Sequence, residues 1–325
     1  MPINTLEAAT LFQKNLDLLA VQQMKTGWMD ANAGQVIYNG GRDVKIPMIG
    51  VQGLGNYDRD GGYPMGSVNL EYETRRMTQD RGREFQLDAM DIDEAAFIPT
   101  AGTVMGEFQR TKVIPEIDAY RLAMLSRMAI RNCTDAEYGY VPGSASKSAL
   151  KALKEGIEYV RDNGYDGQLV IHATGKFMLE LETELANKLT AMTWSQGGIN
   201  TTVPSVDECA IIKTPKNRMA HNIIMLDGKT EGQKEGGFKA AEDAVYANFL
   251  IMPMTTPLAI TKQDKMKIFS PDVNQKADAW LMNYRRFHDL WVKENAKNSI
   301  FGNFSAAKPT LAAPEATEPV EEDED

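Results

Sequence analysis

The residues of this chain whose types could carry chemistry are three histidines, two cysteines and a few acidic or glycine-rich clusters. His172, His221 and His288 each stand alone, with no second histidine or paired carboxylate three or four residues away. His172 falls in the run Gln168-Leu169-Val170-Ile171-His172-Ala173, which reads as a buried strand, so a satisfied core histidine is expected there rather than a catalytic base. Cys133 and Cys209 belong to no CxxC or Cys/His cluster, which argues against structural zinc and a disulfide framework and fits a reducing compartment. The acidic group Asp88, Asp91, Asp93 and Glu94 has neither EF-hand nor zinc spacing and reads as helix-start capping and surface charge. Asp58-Arg59-Asp60-Gly61 begins like a calcium loop, but Gly62 follows and no glutamate closes it. Gly228-Lys229-Thr230 looks like the end of a phosphate-binding loop, yet that motif needs a glycine five residues earlier, where Ile223 stands. Gly50, Gly53 and Gly55 are spaced GxxGxG instead of GxGxxG, and there is no GxSxG elbow. No catalytic constellation emerges, and the expectation is no enzyme activity, no cofactor and no metal.

What remains is a chain of 325 residues with 43% apolar and 25% charged side chains, long enough for one large domain or two to three small ones. No apolar run approaches the roughly 18 to 20 residues that cross a bilayer, and the N-terminus lacks a secretory pattern. No membrane association is expected. The net charge of −10 is uneven. Residues 305–325 set Lys308 against seven acidic side chains, so −6 lies in the tail and −4 in everything before it. A nearly balanced body lacks the basic stripe that sequence-specific DNA binding requires.

The periodicity then supplies elements. Leu6, Leu11, Phe12, Leu16, Leu19 and Met24 mark an amphipathic helix over Asn4 to Met24, with Gly27 as a stop. From Val36 the period becomes two. Val44, Ile46 and Met48 alternate with polar residues, a glycine-rich stretch from Gly50 to Gly62 follows, and Val68, Leu70 and Tyr72 resume the alternation. This predicts a two-stranded ribbon with a flexible tip, and Phe85, Leu87 and Ala89 continue the pattern into the body. A helical region over Thr103 to Arg131 is interrupted by Pro115, which predicts a kink or two abutting helices. Residues 141–252 alternate between helix (stripes at Leu150, Leu153, Ile157, Val160 and at Phe177, Leu181, Leu185, Leu189) and strand (168–173, 206–212, 222–226). Residues 250–292 read as mostly extended, and the Ala/Pro/Thr/Glu-rich end as disordered.

The ribbon says most about function. Strands of about 15 residues reach about 50 Å, whereas a body of some 230 residues has a radius of gyration of roughly 17 Å. A bare hairpin is marginal in water, so Val44, Ile46, Met48, Val68, Leu70 and Tyr72 are expected to be covered by a neighbouring subunit.

Against that architecture the segment Arg83-Glu84-Phe85-Gln86-Leu87-Asp88-Ala89-Met90-Asp91-Ile92-Asp93-Glu94, followed by Phe108 and Val113-Ile114-Pro115-Glu116-Ile117-Asp118-Ala119-Tyr120-Arg121, resembles the tailed-bacteriophage major capsid proteins, the Hong Kong-phage-type capsid fold. So does Tyr284-Arg285-Arg286-Phe287-His288-Asp289-Leu290-Trp291-Val292. The resemblance spans about residues 1–304 and implies an α+β fold. Its parts would be an N-terminal arm (1–35), an extended β-ribbon loop (36–90), a peripheral domain with the long spine helix (91–140 and 253–304), an α/β axial domain (141–252) and a disordered acidic tail (305–325). In the spine, Pro115 would mark the kink, with Glu116, Asp118 and Arg121 beside it. The resemblance further implies hexamers and pentamers closing into an icosahedral shell around double-stranded DNA, in the virion and, during assembly, in the host cytoplasm. Possible partners are a separate scaffold protein, a portal and decoration proteins. Lys45 is the only lysine of the ribbon and sits near its base, which argues against the Lys–Asn cross-link of one member class. Encapsulins, which share the fold and enclose cargo enzymes, are the alternative, followed by a soluble α/β enzyme.

Overall fold

The computed structural model describes residues 23–35, 37–38, 42–88, 101–144, 147–185, 189–196 and 199–311. The amphipathic run up to residue 22, the acidic positions Asp91, Asp93 and Glu94, and the tail from residue 312 lie outside the described residues. In chain order a 3-10 helix (Gly27–Gln35) leads to β1 (Ile37–Tyr38), β2 (Asp43–Val51), β3 (Val68–Arg76) and β4 (Gln79–Asp88). Helix α1 (Ala101–Phe108) continues through a π-turn (Gln109–Val113) into α2 (Ile114–Asn132). Then come β5 (Glu137–Tyr138), α3 (Ala149–Asp162), β6 (Leu169–Thr174), α4 (Gly175–Glu184), β7 (Thr190–Gln196), β8 (Ile199–Val206) and β9 (Cys209–Thr214). The chain closes with β10 (Ile223–Met225), β11 (Phe238–Ala240), β12 (Ala247–Pro253), β13 (Pro257–Phe269), β14 (Ala279–Val292) and β15 (Phe301–Phe304).

The centre is a seven-stranded sheet in the order β5-β15-β12-β6-β9-β8-β7, in which β6 and β9 run parallel. Both faces are covered, which is why β6 reads as an unbroken buried run instead of an alternating one. Ile171, Ile211, Phe249 and Ile251 point to one side and pack against Leu153, Ile157, Val160 and Phe177 of α3 and α4. Val170, Ile212 and Leu250 point to the other, against Leu122, Leu125 and Ala129 of α2 and Trp28 and Met29 of the N-terminal segment. Gly156 permits the close seating of α3: a side-chain carbon there would come within 2.7 Å of Phe301 and 2.8 Å of Ile251. The sheet draws strands from both ranges 141–252 and 253–304, since β15 pairs with β12. A second sheet, β13-β14-β4, receives the run expected to extend the ribbon pattern into the body.

Two expectations need correction. Residues 206–212 are not one strand: β8 ends at Val206, a two-residue turn at Asp207 (φ 48) and Glu208 (φ 63) reverses the chain, and β9 starts at Cys209. Acidic residues at positive φ carry no glycine signal, so the hairpin is hidden in an apolar run. The tail also begins later than its composition suggests. Ser305 N donates to Tyr246 O (2.9 Å), Lys308 lies 5.8 Å from the ring centroid of Tyr138, and Leu311 packs on the core.

The break at Pro115 takes a specific form. Ile114 N donates to Gln109 O, the i→i−5 bond of a π-turn, and α2 resumes with Pro115 in its first turn. Proline lacks an N–H and clashes with the carbonyl four residues back in an α-helix interior, at a cost of about 3 kcal/mol. The widened turn relieves that clash and puts the missing donor where the register change would strand one anyway. Pro115→Ala is therefore expected to change the free energy of unfolding by less than about 1 kcal/mol, measured by urea denaturation; a loss above about 2 kcal/mol would show that the proline itself holds the break.

Candidate assembly interface

Strands β2 and β3 pair over nine residues each, from Asp43↔Arg76 to Val51↔Val68, so the ladder is about 30 Å long, shorter than the strand length expected, with residues 52–67 forming the end. Directly opposed residues of an antiparallel pair share a face. Val44, Ile46 and Met48 oppose Arg75, Glu73 and Glu71, whereas Val68, Leu70 and Tyr72 oppose Val51, Ile49 and Pro47. The six residues expected to form one apolar face are thus split between two. Alternation within each strand is visible in the sequence, but the parity between strands depends on how the long connection closes, and a shift of one residue exchanges the faces.

The two faces have different fates. Val44 and Ile46 are fully buried by their own chain, and Val44 packs against Met77, Ile260 and Phe287; these two need no neighbour. Across the ladder Val44 and Ile46 are opposed by Arg75 and Glu73, which form an ion pair with each other. The opposite face carries Pro47, Ile49, Val51, Val68, Leu70 and Tyr72, and here Ile49 is 68% exposed, Val51 71%, Val68 74%, Leu70 52% and Tyr72 49%. An apolar strip of this kind on one side of a thin ribbon is the mark of an interaction surface.

The ribbon's root is tied to the spine helix. Asp289 of β14 accepts hydrogen bonds from Thr78 N (2.8 Å), Thr78 Oγ1 (3.0 Å) and Tyr120 Oη (2.6 Å). Burial pushes the Asp289 carboxyl up despite these donors, and burial likewise pushes the Tyr120 phenol up. Arg81 of β4 forms a two-pronged ion pair with Glu116 (2.8 and 3.2 Å). Of the spine residues singled out in the sequence, Glu116 therefore braces the ribbon, while Asp118 and Arg121 face the other way. Asp118 is fully buried and accepts from Lys25 N (3.0 Å), Thr26 N (3.0 Å), Thr26 Oγ1 (2.6 Å) and Arg218 Nη1 (2.8 Å). Arg121, also fully buried, donates to Thr26 O (3.0 Å) and to both oxygens of Asp30 (2.6 and 3.2 Å). The role of Thr26, Asp30 and Arg218 was not readable from motifs. The available signal was that Asp118 and Arg121 interrupt the apolar stripe Ile114, Ile117, Leu125, and charges on a buried stripe need partners.

The histidines are structural. His172 is fully buried, with Trp28 Nε1 donating to its Nε2 (3.3 Å) and Nδ1 3.1 Å from Thr214 Oγ1. Because the Thr214 hydroxyl donates to Ile212 O (3.2 Å), the proton sits on Nδ1 and the ring is neutral. Burial, with a smaller push from Lys25, lowers its pKa to about 3. An unfolded chain takes up that proton below about 6.5 and the folded one does not, so the stability associated with His172 is complete above 6.5 and is lost as the pH falls towards 3, at about 1.4 kcal/mol per pH unit. Burial moves His221 and His288 downward too. His172→Gln should therefore flatten, relative to the parent, the fall in urea midpoint between pH 7 and pH 5; equal slopes would remove His172 from the account.

A cavity of about 380 Å³ opens between β4, the π-turn, β14 and the loop joining β10 to β11. Arg83 crosses it to donate to Lys234 O (3.1 Å). The Gly228-Lys229-Thr230 look-alike lies in that loop, where Asp227 Oδ1 accepts from Lys229 N (2.8 Å) and Thr230 N (2.9 Å); the motif closes a turn and leads into no helix. Among the described residues no three His, Cys, Asp or Glu side chains gather as metal ligands would, and no helix is long and apolar enough to cross a membrane.

No protein-family model matches the chain, and no curated protein matches it. Solved structures do resemble it. The capsid of cyanophage P-SCSP1u superposes with a TM-score of 0.56 at 12% identity, over 82% of this chain and 84% of that one. The mature capsid of bacteriophage PhiM1 gives 0.55 at 8% identity, over 82% and 83%, and the capsid of Ralstonia phage GP4 gives 0.51 at 8%, over 84% and 86%. At such identities the likeness speaks for architecture, and this mixed α+β architecture is the phage capsid fold.

Proposed function

We propose that this chain is the major capsid protein of a tailed phage, a structural subunit that closes as hexamers and pentamers around double-stranded DNA. The observation that carries the reading is the apolar ribbon face, five of whose side chains are about half or more exposed in a chain of capsid fold. Burying one such side chain fully is worth about 1.5–3 kcal/mol, a gain open only when a second subunit covers it. As part of the proposal, residues 36–90 would reach to a neighbour, 91–140 with 253–304 would form the peripheral region, and 141–252 the axial region around capsomer centres. Val68, Leu70 and Tyr72 remain intersubunit candidates, joined by Ile49 and Val51, while Met48, half-buried, lies on the opposite face with Val44 and Ile46. A scaffold, portal or decoration protein would join the same assembly in the virion.

Negative-stain microscopy of the concentrated protein tests the reading, with closed shells expected; a small monodisperse oligomer at every concentration would sink it. Particles from the native source should hold double-stranded DNA. Enzyme cargo in its place would assign the chain to a compartment shell.

A further inference from the structure

The cavity of about 380 Å³ beside β4 is not used by the shell reading. Its size falls within the roughly 300–1,000 Å³ of small-molecule sites. Three parts of the fold meet in it: β4 with β14, the π-turn with the start of α2, and the loop joining β10 to β11. Its surface is of two kinds. Phe85, Phe108 and Tyr284 make an aromatic wall, their rings meeting edge to face at 4.8 and 5.9 Å. Two and four residues beyond Tyr284 on β14, and so on the same face of the strand, come Arg286 and His288, only 8% and 2% exposed. Asp264 and Thr261 accept from the two Nη atoms of Arg286 (2.6 and 3.2 Å), which leaves Arg286 Nε without a partner, and His288 Nδ1 has none either. A buried charged donor left unmet is costly. This end of the cavity calls for an acceptor oxygen.

The charges set the valence of what fits. Among the described residues five cationic side chains line the cavity, Arg81, Arg83, Lys112, Lys229 and Arg286, against four carboxylates, Asp80, Glu116, Asp227 and Glu235. Arg81 is matched by Glu116, Arg286 by Asp264 behind the wall, and Asp80 by Arg285 behind it, while Asp227 is held by the turn that it closes. Counting Asp264 and Arg285 as well leaves the same surplus of one positive charge. Burial keeps His288 neutral. Arg83 is fixed in place: both of its Nη atoms donate to Lys234 O at 3.1 Å, and Nη1 passes Gly228 where a side-chain carbon would lie 2.9 Å away.

We infer that this cavity binds a small monoanionic aryl compound, a carboxylate carried on one ring or two fused rings. The rings extend the edge-to-face packing of Phe85, Phe108 and Tyr284, and the carboxylate accepts from Arg286 Nε and from His288 in its Nδ1–H tautomer. A cation is disfavoured by the surplus positive charge, and a multivalent anion by the four carboxylates. The site lies within one chain and does not rest on the shell reading.

Titration of the full chain with 2-naphthoate, followed by the probe's fluorescence, tests it. Saturable binding of one molecule per chain is expected, with a Kd on the order of 10⁻⁵ to 10⁻⁴ M. Neutral 2-naphthol keeps the rings and loses the charge, and should bind about tenfold more weakly. Octanoate keeps the charge and loses the rings, and should also be weaker. Lys112 and Lys229 are exposed, so Lys112→Glu with Lys229→Glu should fold normally, reverse the surplus charge and weaken 2-naphthoate by about tenfold. Lys265→Glu with Lys267→Glu, exposed and away from the lining, should change its affinity less than about twofold. Ile49→Asp with Leu70→Asp should bind as the parent does, which separates the cavity from the exposed ribbon face. No saturable binding, or binding indifferent to the probe's charge, to its rings or to the cavity pair, overturns the inference and leaves ordered water as the partner of the two orphan nitrogens. A second measurement needs no substitution. Amide exchange across 108–117 and 226–237 should slow by about threefold or more on saturation with 2-naphthoate, and unchanged exchange in both segments also overturns the inference. Because no subunit contact enters, failure here leaves the shell reading standing.

Discussion

Ile49→Asp combined with Leu70→Asp is expected to leave a soluble subunit with parental helix content that no longer forms shells. The two positions are directly opposite in the ribbon ladder and project from its uncovered face. In the isolated chain both side chains face water, where substitutions usually change stability by no more than about 0.5 kcal/mol. At an interface the same change removes about 1.5–3 kcal/mol of burial per side chain and adds two carboxylates whose desolvation costs several kcal/mol each unless paired. Repeated at every subunit contact, that loss is enough to stop closure. Ile46→Asp supplies the contrast. Ile46 is one strand position from this face but fully buried by its own chain, so its variant should fail at folding instead of at assembly. Circular dichroism and sedimentation of the two variants separate the outcomes, and shells at parental yield from the Ile49→Asp, Leu70→Asp protein would refute the ribbon face as the clamp.

That contrast also marks where the sequence stopped being legible. The existence of the ribbon, the mostly extended character of residues 250–292, and helices α3 and α4 followed from periods of two and 3.6, because each element buries one face and the pattern records it. The parity between the ribbon's strands did not follow. A connection of sixteen residues imposes no register, whereas a two-residue turn would have done so. Strands β7 and β8 were missed for a related reason: Thr190, Thr193, Thr201 and Thr202 alternate with few apolar residues, and in β7 only Trp194 is buried. Pro115 announced a break in the spine, but its solution as a π-turn depends on the preceding five residues accommodating an i→i−5 bond, which no residue type signals. The cavity needed the fold itself, since Phe85, Phe108, Lys229 and Tyr284 come from four separate stretches of chain.

One helix serves both the ribbon and the N-terminal segment. Tyr120 and Glu116 hold the ribbon root through Asp289 and Arg81, and on another side of the same turns Asp118 and Arg121 hold residues 25–30 of the N-terminal segment. Charge is a costly way to make such a joint, since a buried ion loses hydration worth several kcal/mol and recovers it only when every donor and acceptor is met. The arrangement here is directional in return: the Asp118 carboxylate accepts from backbone N–H groups that present this geometry only when the segment lies in place.

Asp118→Ala should for that reason be among the most damaging single substitutions in the chain. It strands Thr26 N, the Thr26 hydroxyl and the Arg218 guanidinium together, and breaking a buried pair by removing one side costs about 3–5 kcal/mol, a large part of the 5–15 kcal/mol that typically holds a domain. Arg121→Met should cost less, because the carboxylate it abandons, Asp30, is partly exposed and water can take over. The loss should also be local in its first expression. Lys25 N is one of the donors to Asp118, so the Lys25–Thr26 bond is shielded in the parent and should become the earliest tryptic cut in Asp118→Ala, ahead of global unfolding. Limited trypsin digestion followed by mass measurement reads the cut, and urea unfolding reads the energy. A variant that unfolds within about 1 kcal/mol of the parent, with Lys25–Thr26 still resistant, would mean that apolar contacts of Met24, Trp28 and Met29 hold the segment without the charges.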